Sequence, residues 1–343
     1  MLQFRNDYSM GAHPKVLEAL SATNLEGNIG YGADAYCEKC AGLIRTLCQS
    51  PEAKVEFLIG GTQTNFTAIA AFLRPWEGVI CAQSGHVNGH EGGAVEATGH
   101  KLFQVPAGPD GKVTVGTMEP VLEMCQDPHV AKPGLVYISD ATETGGVYTL
   151  AELETLSAYC KANGLLLFLD GARLGAALTA VDNDVTLPDL ARLCDAFYIG
   201  GTKNGALMGE ALVIVNPALQ PEFFRIKKQR GAVLAKGWLL GVQFQALLED
   251  GLYWELAKQA NKVAATLQKG LMDKGYAMAN VTTTNQIFPI VPATLLETLD
   301  KVCTYEVWCK NPDDTVTVRF VASFASTGAD AAGVLAALPD IGK

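Results

Sequence analysis

Short, continuous apolar runs alternate with longer amphipathic stretches along the first two-thirds of the chain. The runs at 55–59, 79–82, 102–105, 134–139, 165–169, 196–199 and 211–215 are aliphatic or β-branched at most positions. That texture suits strands buried on both faces of a parallel sheet. Between them, helical patterns occupy 36–49, 64–73, 150–163 and 217–229, and Gly164 stands just past the end of the third. The alternation predicts an α/β fold, a mostly parallel mixed sheet with helices on both faces. Beyond Arg230 the pattern changes to two long helical stretches, 234–248 and 253–274. Strand candidates follow at 286–291 and 315–321, with a helix at 293–302 between them and a last helix at 327–338. The expected organisation is an N-terminal arm over 1–15, a large domain over 16–250 and a small C-terminal α+β domain over 251–343.

Composition narrows the function classes. The chain has 343 residues, 49% of them hydrophobic and 18% charged, enough apolar material for a sizeable core. Twenty-six basic against 36 acidic side chains leave a formal charge of −10, and no basic stripe is present to neutralise nucleic-acid phosphates. Nine cysteines form an odd, scattered set and read as reduced thiols. No apolar stretch approaches the ~20 residues of a membrane span, and residues 1–15 lack the apolar segment of a signal peptide. The expectation is a soluble, cytoplasmic protein that does not bind duplex nucleic acid.

In open α/β sheets, ligands gather at the carboxyl ends of strands, and four such turns carry chemistry. Gly60-Gly61-Thr62-Gln63-Thr64-Asn65 leads from a strand into a helix, offering unpaired N–H groups and the positive helix end to a phosphate. The alternative is a tight turn with Thr62 or Thr64 as helix cap. Leu169-Asp170-Gly171-Ala172-Arg173 ends a buried run in an acid that needs a cationic partner, although Asp170 also suits a simple N-cap. Gly200-Gly201-Thr202-Lys203-Asn204-Gly205 places a lysine among glycines, where desolvation would lower its pKa and make it a nucleophile toward a carbonyl. A solvated loop lysine is the plainer reading. Ser84-Gly85-His86 begins the fourth turn, and His86 and His90 stand one helical turn apart. With Cys37 and Cys40 they compose, on paper, a zinc-binding interaction module, against which the long gap between the two pairs argues.

Together, a phosphate-cradling turn, a strand-end acid, a loop lysine and a strand-end histidine fit pyridoxal 5′-phosphate. That cofactor needs a Schiff-base lysine, an acid for its pyridinium nitrogen, an anion site and a flat surface for its ring. These motifs, with Arg5-Asn6-Asp7 at the start and a late Arg319, resemble the threonine aldolase and β-eliminating lyase group of fold-type-I pyridoxal-phosphate enzymes. The likeness spans nearly the whole chain.

The resemblance implies that Lys203 carries the cofactor as a Schiff base, Asp170 pairs with its ring nitrogen, His86 stacks on the ring, and Gly61 and Thr62 take the phosphate. Arg173 and Arg319, with Asn6, would orient the carboxylate of an amino-acid substrate. It also implies a homodimer or homotetramer with active sites between subunits, where Tyr31 and basic residues at 225–230 reach a neighbour's cofactor. Three positions depart from the family pattern. Asn6 replaces a serine, Glu143 stands where many relatives have a histidine, and Lys236 replaces a phosphate-binding arginine. The implied reaction cleaves a β-hydroxy-α-amino acid, threonine or allo-threonine, to glycine and an aldehyde, with His86 or Glu143 as base. β-Elimination and a phenylserine-type aldol cleavage are the alternatives on the same scaffold.

Overall fold

The computed structural model describes residues 1–342. Seven strands form the central sheet: β1 (Lys54–Leu58), β2 (Glu77–Ala82), β3 (Leu102–Val105), β4 (Lys132–Ser139), β5 (Leu166–Asp170), β6 (Ala196–Gly200) and β7 (Glu210–Ile214). Their spatial order is β1-β7-β6-β5-β4-β2-β3. Only β7 runs antiparallel to its neighbours, and the remaining pairs are parallel.

The continuous apolar runs are explained by burial on two sides. On β4, Val136 and Ile138 join one core cluster while Leu135 and Tyr137 join the other. Strand β5 divides in the same way, with Leu167 and Leu169 on one face and Phe168 on the other. Helix Ala35–Leu47, capped by Asp34 accepting from the Cys37 N–H at 2.8 Å, covers the first face beside Trp238–Leu248.

A third core cluster belongs to the C-terminal part, around the antiparallel strands β8 (Gln286–Ile287), β9 (Ile290–Pro292), β10 (Glu306–Lys310) and β11 (Thr315–Val321). Helix Leu252–Asp273 joins the parts: Leu252 and Leu256 pack in the large core, and Val263 and Leu267 in the small one. The N-terminal arm is tied to the small core as well. Leu2–Gln3 pairs in parallel with Cys303–Thr304, and Phe4 is fully buried there.

Several elements differ from the pattern reading for local reasons. The stretch 217–229 breaks into a 3₁₀ turn, Pro217–Leu219, and a helix, Phe223–Gln229, because Pro221 lacks an N–H and Glu222 sits at φ +59°. Pro289 divides 286–291 into β8 and β9. Helix Trp238–Leu248 starts later than 234, since the Ala235 carbonyl is engaged by the Tyr31 N–H at 3.0 Å. Strand β10, which the sequence pattern did not predict, proves to matter for the site.

Candidate active site

The carboxyl ends of β2, β4, β5 and β6 open onto a cavity of about 400 Å³. Its wall brings together Gly61, Thr62, His86 and Glu143 from the turns after strands, and Asp170, Arg173 and Lys203 from the sheet's centre. Arg319 enters from β11.

Asp170 is the last residue of β5, buried, and hydrogen-bonded on both oxygens. Oδ2 accepts from the Tyr137 hydroxyl at 2.5 Å and from Asn65 Nδ2 at 2.9 Å, and Oδ1 from the Ala172 N–H at 2.9 Å. Burial alone would raise its pKa, but the Tyr137 hydrogen bond, the nearby Tyr198 hydroxyl and His86 imidazole, and the Ala172 N–H outweigh it and hold the carboxyl below its ordinary value. The Asp-Gly step is dictated by packing. A Cβ on Gly171 would lie 1.8 Å from the Tyr198 carbonyl oxygen, because β5 and β6 run together here and the Gly200 N–H donates to the Gly171 oxygen.

Lys203 is surrounded by charge. Burial and the Arg173 guanidinium push its pKa down, while Asp7, Asp170 and Glu210 partly restore it. Glu210, at the start of β7, accepts from the Gly201 N–H at 3.0 Å, and burial pushes its carboxyl up to about 8. Tyr8 lies above the lysine, with Nζ 5.9 Å from its ring centroid.

His86 is oriented by Glu91, whose Oε1 accepts from Asn65 Nδ2 at 2.7 Å and faces His86 Nδ1 at 2.8 Å. An ionised carboxylate only accepts, so Nδ1 carries a proton and Nε2 of the neutral ring is left as acceptor. Glu143 Oε1 accepts from the His86 N–H at 2.9 Å and from Ser139 Oγ at 2.8 Å. Burial and the Asp170 charge raise its pKa.

Arg173 is gripped by Asp7, which accepts from Nε at 2.8 Å and from Nη2 at 3.0 Å, leaving Nη1 as its unpaired donor. Arg319 donates from Nη2 to Glu306 on β10 and stands over Trp308, 5.2 Å from its ring centroid.

The structure does not bring every expected residue into this cavity. Asn6 lines an adjoining one, where its Oδ1 accepts from the Tyr8 N–H and Ser9 Oγ. Tyr31 and Lys236 lie elsewhere on the surface, and Lys228 Nζ sits 4.9 Å from the Tyr31 ring centroid. The proposed zinc set does not assemble. Cys37 and Cys40 are buried on the core face of their helix, with Cys37 Sγ against the Gly237 carbonyl. Burial pushes the Cys40 thiol up to about 12. Among the described residues no cluster of His, Cys, Asp and Glu has metal-binding geometry. Sequence reasoning passed over Tyr8, Asn65, Glu91, Tyr137, Tyr198, Glu210, Glu306 and Trp308. The available signal was positional: Tyr137 and Tyr198 sit on the strands that flank the Asp170 strand.

The family model described as Beta-eliminating lyase matches residues 3–294. The chain belongs to the β-eliminating lyase family. Within it, the chain is 33% identical over 273 residues to a low specificity L-threonine aldolase of a Pseudomonas species, covering 79% of this chain and 78% of that one. A low specificity L-threonine aldolase of Pseudomonas aeruginosa is 32% identical over the same length. The solved structure of a Leishmania major threonine aldolase superposes with a TM-score of 0.96 at 46% identity, covering 98% of both chains. This β-eliminating lyase family member has the fold-type-I architecture of pyridoxal-phosphate enzymes, and pyridoxal phosphate is its cofactor.

The cavity fits that group. The 12-residue helix Gly61–Phe72 begins without a side-chain cap and with no acid in its first turn, so its first N–H groups are open to a phosphate. Among the described residues the buried Tyr198 hydroxyl has no hydrogen-bond partner, and it lies 3.1 Å from where a Cβ on Gly61 would stand. Asp170 is an anion prepared for a protonated ring nitrogen, and Lys203 is an amine with weakened hold on its proton.

Proposed function

We propose that the enzyme is an aldehyde-lyase that cleaves threonine or allo-threonine between Cα and Cβ, yielding glycine and an aldehyde. The observation that carries this reading is the meeting of Lys203, anionic Asp170 and an open helix N-terminus with two arginines in one cavity. Bound pyridoxal phosphate supplies an electron sink for the pair left on Cα.

The chain's own groups do the rest. Lys203, its pKa lowered by burial and by Arg173, presents a neutral amine to the cofactor's carbonyl. Asp170 keeps its charge and stabilises a protonated nitrogen. Gly61 and Thr62 cradle the phosphate at the helix N-terminus. Arg173 Nη1, aimed by the Asp7 grip, and Arg319 bind the substrate carboxylate, which fixes the Cα bond that breaks. Two acceptors face the substrate hydroxyl. Among the described residues Glu143 leaves Oε2 without a partner and has raised proton affinity, and the Glu91 contact to Nδ1 orients the His86 ring so that Nε2 faces outward as acceptor.

Tyr8 and Trp308 in the wall favour a second reading, cleavage of phenylserine-type substrates. A screen for glycine release from the threonine stereoisomers and phenylserine, with Lys203→Ala as control, tests both. Glycine appears with wild type alone if the aldolase reading is right, and a keto acid with ammonia in its place would mean β-elimination. Near-normal turnover in both His86→Ala and Glu143→Gln proteins would sink the assignment of the base.

The enzyme works in the cytoplasm as a homodimer or homotetramer, with Tyr31, Lys236 and residues 225–230 supplied to a neighbouring copy's cavity. Tyr31 is 54% exposed, stands at φ +67° and is held in place by its N–H on the Ala235 carbonyl, which leaves its ring on the surface. No helix among the described residues is long and apolar enough to cross a membrane. Analytical ultracentrifugation showing an active monomer would contradict the shared-site reading.

A further inference from the structure

Arg319 already holds a carboxylate. It stands directly opposite Glu306 on the antiparallel pair β10 and β11, and its Nη2 donates to Glu306 Oε2. The partners are unequally fixed. The Arg319 side chain is 12% exposed and Glu306 43%. Trp308 covers the guanidinium and is itself braced edge-on by Phe288 at 5.3 Å, while Gln286 Oε1 accepts from Nη1 at 3.5 Å. Glu306 has no other hydrogen bond or ion pair among the described residues. Glu306 can leave this arrangement, and Arg319 cannot.

A destination exists. Glu306 also lines the adjoining cavity, of about 360 Å³, together with Arg5, Asn6 and Tyr8. Arg5 is exposed there, and its guanidinium has no ion pair or hydrogen bond among the described residues. One acid therefore stands between a committed arginine on the substrate side and a vacant one on the solvent side.

We propose that Glu306 is a gate on the substrate-carboxylate site, closing Arg319 in the empty enzyme and moving to Arg5 when the substrate's carboxylate takes its place. This rests on the reading of Arg319 as a carboxylate partner of the amino-acid substrate. The exchange replaces one ion pair with another, so Arg319 never bears a buried, unpaired charge, which would be heavily penalised. It also makes opening depend on a competing carboxylate. An amine without one, such as an amino alcohol, leaves the gate shut. The gate therefore sets specificity toward α-amino acids at the expense of some affinity.

The test uses the holoenzyme as wild type, Glu306→Gln, Arg5→Gln, Arg5→Lys and the Arg5→Gln/Glu306→Gln double variant. Three quantities are measured: the dissociation constant of glycine by calorimetry, and KM and kcat for threonine cleavage. Removing the competitor in Glu306→Gln should tighten glycine and lower KM by about three- to fivefold, the size of a half-exposed ion pair, with kcat within about twofold of wild type. Arg5→Gln should weaken glycine by about two- to threefold, and Arg5→Lys should restore it. In the double variant the Arg5 effect should vanish, because the acid that Arg5 receives is gone. Unchanged or weaker glycine binding in Glu306→Gln would overturn the gate, as would an Arg5 effect that persists in the double variant. Absence of glycine release by wild type would refute the aldolase reading, and the glycine dissociation constants would still decide the gate.

Discussion

Asp7→Asn isolates the pair that aims Arg173. The native partners are almost wholly buried, with side-chain exposures of 1% for Asp7 and 10% for Arg173. Two hydrogen bonds of 2.8 and 3.0 Å join them, and Asn285 Nδ2 donates to the same carboxylate at 2.9 Å. The amide removes the charge and turns one acceptor into a donor facing a guanidinium. Removing one partner of a buried pair costs about 3–5 kcal/mol, because the other charge stays desolvated, and the remaining acceptor of Asn places this variant near the lower end. The pH dependence carries a sign. Burial raises the Asp7 pKa, but the Arg173 charge and hydrogen bond prevail and set it below the ordinary value. The stabilisation is therefore fully present above the unfolded carboxyl's pKa, about 3.9, and is lost as pH falls through the lower native value. Urea unfolding of both proteins at equal concentration should show a gap of about 3 kcal/mol at pH 7, constant down to about pH 5 and shrinking below about pH 4. KM for threonine should rise about tenfold, as Nη1 loses its direction. A gap below about 1 kcal/mol at pH 7, or one that widens in acid, would refute the reasoning.

Tyr137→Phe removes the 2.5 Å hydrogen bond to Asp170, worth about 1.5–3 kcal/mol as a bond to a charge, so cofactor affinity should fall by about tenfold or more in a spectrophotometric titration. Gly171→Ala drives a Cβ to 1.8 Å from the Tyr198 carbonyl, and thermal melts should show a destabilised or insoluble protein where Gly116→Ala, with nothing within 4 Å, behaves as wild type. Glu210→Gln removes a carboxyl raised from 4.5 to about 8 by burial. A raised native pKa stabilises the fold below the unfolded value and loses that contribution as pH rises to the native one. In the cofactor-free protein the variant should therefore gain on wild type between about pH 4.5 and 8, and a gap independent of pH would contradict this.

The site's centre was legible because its chemistry sits at strand ends. Asp170 closes an apolar run, Lys203 follows another, and Gly61 opens a helix, so local pattern and the rule for open sheets placed them along one sheet edge, while the roles expected of them came from the family resemblance. Partnerships made by the fold were not legible. Asp7 and Arg173 are 166 residues apart and meet because the N-terminal arm is anchored on the C-terminal part, by Leu2–Gln3 along Cys303–Thr304, by buried Phe4 and by Asn285 on Asp7 itself. Strand β10 escaped notice because it is largely exposed, so Glu306-Val307-Trp308-Cys309-Lys310 shows no clean alternation, and with it went Glu306 and Trp308. Tyr137 and Tyr198 read as strand filling. Each has an apolar ring in the core beneath the sheet and a hydroxyl at the site, that of Tyr137 on Asp170, a division of labour that periodicity does not record.

The central claim is that Lys203 holds pyridoxal phosphate beside Asp170. It is tested most directly by reducing the purified enzyme with borohydride after loading with the cofactor, digesting it, and locating the added mass. The account predicts the adduct on Lys203, and neither adduct nor glycine release in Lys203→Ala. An adduct on another lysine, or glycine release that survives the substitution, would contradict it.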